Sequence, residues 1–261
     1  MNRVLSSLHR RLTGVYLLIV FFAFWQIVPS AGFVNATYLT PLFRVIREIP
    51  IVGYFNLATD VLISLKRVAI GFLISTAAAL PLGFVLAGAL PRLAKFLNPL
   101  LLFLSQIPPF ILFPVFVIIF GVGESGIVTV IIWSAVWPIL FNTISGINMV
   151  DPLLVKCARS MCADKLTIFL EVVLPSSLPS IMTGMRSGLT LCFLMLIGAE
   201  TMGANSGMGW EINMAQRMAV IPRIYLMALV VAVVGLAINY LFEWIERTLI
   251  TWKEVERDAL A

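Results

Sequence analysis

Along the 261-residue chain, apolar residues gather in long runs separated by short polar stretches. The runs lie near residues 12–30, 68–90, 97–120, 126–148, 179–202 and 223–245. Each is close to the roughly 20 residues that an α-helix needs to cross a hydrocarbon core of about 30 Å. The pattern predicts an all-α, polytopic membrane protein with six transmembrane helices, forming one domain over residues 1–261. A secretory leader is the other reading of the first run, which follows Arg3, Arg10 and Arg11 and ends in small residues; retention as a span is the expectation. Pro81, Pro108, Pro109, Pro114 and Pro138 remove backbone donors inside the runs and predict kinks. Gly83 with Ala87, and Gly184 with Gly188, place small residues four apart, where helix backbones can approach closely.

One polar insert interrupts this pattern between the fourth and fifth runs, over residues 150–178. It opens on Asp151-Pro152, a good helix start with Asp as N-cap and proline in the first turn. Leu153, Leu154, Cys157, Ala158 and Met161 then fall on one helical face. After a break near Cys162, Leu166, Phe169, Leu170 and Val173 recur at helical spacing, with Asp164, Thr167 and Glu171 on another side. Two short amphipathic helices joined by a turn are expected. Periodicity alone fits both a pair lying on the lipid headgroups and a pair offered to a protein groove.

Charge gives the chain a direction. Of the eighteen Lys and Arg residues, eleven fall on the side of the insert and the two tails. Six fall on the other side, Arg44, Arg47, Lys66, Arg67, Arg217 and Arg223, and Arg186 lies within the fifth run. The positive-inside bias then places the insert and both termini of this multi-pass protein in the cytoplasm.

Composition, 61% hydrophobic and 12% charged, leaves no room for a large soluble domain. No G-x-x-x-x-G-K-[ST] phosphate cradle occurs, so this chain is not expected to bind ATP itself. The three cysteines, Cys157, Cys162 and Cys192, and the single His9 have no metal-ligand or nucleophile–base spacing, which argues against both a metal site and a hydrolytic site. No nucleic-acid partner is expected. Polar residues within the runs are few; Gln106, Asn142, Arg186 and Glu200 are the candidates for a pathway or gate. Snorkelling for Arg186 and an interfacial carboxylate for Glu200 are the alternative readings.

The insert also resembles the EAA loop of bacterial ABC importer permeases, EAA-x3-G-x9-I-x-LP. Anchored on Leu174 and Pro175, the pattern puts Lys156, Cys157 and Ala158 at its opening positions, Cys162 at its glycine and Val172 at its isoleucine. The flanks are similar to permeases of the taurine, aliphatic sulfonate and nitrate type over roughly residues 60–250, in SLKRVAIGF, QIPPFILFPVFVIIFGVGES, WPILFNTISGI, VVLPSSLPSIMTGMRSGL, IGAE and GMGWEI. The resemblance implies a type I importer core in which the insert is a cytoplasmic coupling helix docked on an ATPase. Its contact residues would be Ala158, Cys162, Ala163, Asp164, Lys165, Leu166, Thr167, Phe169, Leu170, Leu174 and Pro175. It further implies the cell inner membrane as location, two ABC ATPase subunits carrying ATP and Mg, a second permease copy and an extracytoplasmic substrate-binding protein, with sulfonate, taurine, nitrate or bicarbonate as cargo. A secondary carrier or channel without an ATPase is the alternative from another class.

Overall fold

A computed structural model of the chain describes residues 16–17, 19–30, 39–121 and 123–250, and every regular element among them is helical. The elements are α1 (Ile19–Ser30), α2 (Leu42–Val52), α3 (Tyr54–Phe84, continued by wider turns over Val85–Ala89), α4 (Pro91–Ser105) and α5 (Pro109–Phe120). Then follow α6 (Glu124–Asn148), α7 (Pro152–Ser160), α8 (Lys165–Gly203, with wider turns over Ile168–Val173), α9 (Met208–Arg217) and α10 (Ile221–Leu249).

Among the described residues, four helices are long and apolar enough to cross a membrane: Asn56–Gly88, Glu124–Asn148, Lys165–Gly203 and Ile221–Leu249. The α4–α5 pair makes a fifth if read as one span, bent by 89°. α1 belongs to the first predicted run, of which residues 12–15 and 18 lie outside the described residues, as do both tails. Large apolar side chains point outward, Phe96 at 80% and Ile118 at 84% exposure, as they do where the solvent is lipid rather than water.

Three elements differ from the periodicity reading. α3 starts at Tyr54, well before residue 68, because Asp60, Ser64 and Arg67 break the apolar run yet share one helical face and turn inward. Lys66 and Arg67 thus belong to a helix, not to the outer loop where the charge count had placed them. The run at 97–120 is two helices: Gln106 caps the first with its N–H on the Leu102 carbonyl, and the tandem Pro108-Pro109 forbids continuation before the second begins. The insert's second amphipathic helix is no separate unit. It is the opening of α8, which runs through Pro175 and Pro179; the wider turns over Ile168–Val173 lie where the Pro175 ring would clash with a regular turn.

The core lies where α3, α6 and α8 meet, around Val68, Ala79, Ile131, Ala135, Ile139, Cys192 and Leu196. α6 and α8 can come this close because a Cβ on Gly184 would stand 2.5 Å from the Asn142 Cβ. A smaller cluster joins α2 to α10 through Val45, Val52 and Leu226, beside the Arg223–Glu48 ion pair at 3.7 Å. α8 connects the two ends of the bundle. From Leu174 beside the insert to Glu200 at the far end it rises about 39 Å.

Candidate functional site

The insert is built from local signals. Asp151 accepts the Leu153 N–H at 2.8 Å and Pro152 opens α7, as the sequence predicts. α7 ends in a left-handed C-terminal turn, in which the Ala163 N–H donates to the Ala158 carbonyl at 3.2 Å and the Cys162 N–H to the Arg159 carbonyl at 3.0 Å. The residue that makes this turn possible is Cys162, at φ 59°, in the position the loop pattern gives to glycine. Asp164 then caps α8 by accepting the Thr167 N–H at 3.1 Å. Its carboxyl is held below the usual range, first by the Thr167 hydroxyl and then by the Thr167 backbone N–H.

The two halves of the insert face different ways. Phe169, expected as an exposed anchor, instead meets Phe84 of α3 edge-on at 5.4 Å, and its neighbour Ile168 is buried. Both hold the insert against its own bundle. Leu166 is 64% exposed and Met161 82%; Leu153, Leu154 and Leu170 are also exposed. Cys162 and Lys165 are exposed, Ala158, Ala163 and Thr167 half-buried, and Leu174 and Pro175 half-buried in the continuing helix.

The polar candidates within the spans do not converge on one cavity. Gln106 is exposed in the break between α4 and α5. Asn142 lies in the α6–α8 seam, its side-chain N–H donating to the Pro138 carbonyl at 2.8 Å while its own carbonyl accepts from the Ser180 hydroxyl at 2.8 Å. Arg186 pairs with Glu243 at 3.0 Å and with Glu246 at 3.7 Å, tying α8 to α10.

Glu200 is different. At 1% exposure it is not an interfacial carboxylate but the buried centre of an ion cluster at the end of the bundle opposite the insert. Arg67 of α3, 3% exposed, donates from Nη1 to Glu200 at 2.6 Å and to the Ser206 carbonyl at 2.7 Å. Its Nε and Nη2 face both oxygens of Glu124, at the start of α6. The Ser64 hydroxyl, at 2.8 Å, and the Gly209 N–H, at 2.9 Å, also donate to Glu200; Asp60 accepts the Gly207 N–H at 2.7 Å. This fixes the loop between α8 and α9 to three helices, and every N–H of Arg67 is used. Gly207 has φ 109°, and a Cβ there would lie 2.5 Å from the Glu200 Oε1. Glu211, on α9 beside the cluster, is pushed above the ordinary carboxylate range by burial and then by the charge of Asp60, against the pull of Arg223.

Arg67 as the partner of Glu200 was missed by the sequence reading, which set it in a loop. The spacing of Asp60, Ser64 and Arg67, one helical face in a run of otherwise apolar residues, is the signal that could have found it.

The chain matches known proteins over most of its length. The family profile described as "Binding-protein-dependent transport system inner membrane component" matches residues 79–251. The putative aliphatic sulfonates transport permease protein SsuC of Bacillus subtilis is 32% identical over 241 residues, covering 92% of this chain and 87% of that protein. The bicarbonate transport system permease protein CmpB of Synechococcus elongatus is 30% identical over 257 residues, covering 93% and 92%. The nitrate import permease protein NrtB of the same organism is 32% identical over 195 residues, covering 74% and 70%. A chain from inward-facing conformations of the MetNI methionine ABC transporter superposes with a TM-score of 0.66 at 18% identity, covering 75% of this chain and 96% of that one, which shows the shared fold. The chain belongs to the binding-protein-dependent transport system inner membrane components, the non-catalytic membrane-spanning permeases of ABC importers.

Proposed function

We propose that the insert is the dock for an ATPase subunit, that it and both termini face the cytoplasm, and that two copies of the chain pair around the translocation path. The observation that carries this is the outward apolar face of the insert: Leu153, Leu154, Met161 and Leu166 are exposed, while Ile168 and Phe169 secure the same segment to the bundle. A short helix fastened on one side and apolar on the other suits a complementary groove. ATP and Mg belong to the partner subunit. Closure of the ATPase pair moves the docked inserts together and rocks the two permeases between inward- and outward-open states.

At the far end, the loop held by Arg67 and Glu200 faces the delivering binding protein. The cargo is a small oxyanion, by likeness to relatives named for sulfonates, nitrate and bicarbonate. The chain's spans carry few uncompensated charges, which suits a path that does not hold its cargo tightly and leaves selection to the binding protein.

Leu166→Asp with Met161→Asp should abolish co-purification of the ATPase subunit while the permease still reaches the membrane. Unchanged association would remove the dock from this segment. Phe169 is unsuitable for this test, because its loss would loosen the insert itself.

A further inference from the structure

α7 turns an unusual face towards its own bundle. Pro152, Val155, Lys156 and Arg159 follow helical spacing and line a cavity of about 1290 Å³. Lys165, from the first turn of α8, adds a third cation, and most of the remaining lining is apolar, including Phe84, Ile147 and Phe169. No carboxylate among the described residues lines this space. Among the described residues, none of the three cations has an ion-pair partner. The apolar face of α7, with Leu153, Leu154 and Met161, points the other way, so the cavity is not the surface offered to the ATPase.

Depth and chemistry together select an occupant. The walls come from the ends of α3 and α6 and the start of α8, three helices that span the membrane, so the cavity sits where hydrocarbon gives way to headgroups. Three like charges around a partly apolar hollow repel one another unless an anion joins them. Lys156 strengthens this, since it stands where the loop pattern carries glutamate and so reverses the charge of that wall. An occupant with a phosphate head and an apolar body suits both the cations and the apolar lining, whereas a small soluble anion leaves the apolar lining unfilled.

We propose that this cavity binds an anionic phospholipid of the phosphatidylglycerol class from the leaflet on the insert's side. Lys156, Arg159 and Lys165 hold the phosphate, and the packed rings of Phe84 and Phe169 lie beside the start of an acyl chain. The site is separate from the dock face of Leu153, Leu154, Met161 and Leu166, although its lining takes in Ala163, Lys165 and Phe169, which the resemblance counts among the dock residues.

The test is native mass spectrometry of the permease, with its co-purifying subunits, extracted from nanodiscs of phosphatidylcholine mixed with phosphatidylglycerol. The wild type should retain phosphatidylglycerol. K156Q/R159Q/K165Q should retain it roughly a hundredfold less well. The charge-conserving K156R/R159K/K165R should keep it, which separates lost charge from lost folding. Equal retention by the wild type and the glutamine variant overturns the site. So does displacement of the lipid by millimolar inorganic phosphate, which would make the occupant a soluble anion. ATPase co-purification is scored on the wild type in the same samples: lipid bound without the ATPase counts against the dock alone, and the ATPase bound without lipid counts against the lipid site alone.

Discussion

Arg67 and Glu200 show how much one side-chain pair can hold. Their side chains are 4% and 0% exposed, so removing Arg67 leaves Glu200 charged and buried with only the neutral donors Ser64 and Gly209. Arg67→Met should lower the stability of the detergent-solubilised protein by about 3–5 kcal/mol. Adding Glu200→Leu should recover much of that loss, and the double-mutant cycle in thermal unfolding measures the coupling. Glu211 makes a prediction of opposite sign. Its folded-state pKa is raised, so its contribution to stability is present in acid and is lost as pH rises through the raised value. Glu211→Gln should therefore raise the unfolding temperature at neutral pH and change it little below the ordinary glutamate range. The sequence marked Glu200 as a candidate because a carboxylate in an apolar run is costly. It could not reveal the partner, since the two residues are 133 positions apart and only the packing of α3 on α8 brings them together.

At the scale of elements, the ends of the apolar runs were the most legible feature, with runs closing at 120, 148 and 202 against helix ends at Phe120, Asn148 and Gly203. Asp151-Pro152 predicted α7, and Glu124–Asn148 lies close to its apolar run. Starts and joints were harder: α3 opens at Tyr54 rather than 68, and prolines were read as kinks in every case. Pro138 lies inside an unbroken α6, whereas Pro108 accompanies an 89° change of direction. The difference is the second proline: Pro109 keeps Pro108 out of the helical region, and one isolated ring does not. The turn after α7 was legible as a conflict. The glycine position held a cysteine, and the structure resolves this by leaving Cys162 in the left-handed region. Such a conformation costs an ordinary residue roughly 1–2 kcal/mol, part of which glycine gives back as chain entropy. Cys162→Gly should therefore stabilise the insert by about 0.5–1 kcal/mol. The readout is slower hydrogen exchange over residues 158–167.

For the whole molecule, the class of protein was readable from six apolar runs and one patterned insert, and the family from short stretches that no periodicity argument needs. What periodicity could not supply is the connection between the two ends. The segment Lys165–Gly203 was read as a loop helix, a gap and a span, because Asp164, Lys165, Glu171 and two prolines dilute its first turns. It is a single helix of 39 residues. A rod of that size is about 58 Å long, and pivoting it by about 5° at Lys165 sweeps its far tip sideways by roughly 5 Å. That is more than a hydrogen bond can stretch. A pull on the first turns of α8 thus strains the grip of Arg67 on Glu200 unless the loop between α8 and α9 travels with it, so one lever joins the two ends of the bundle.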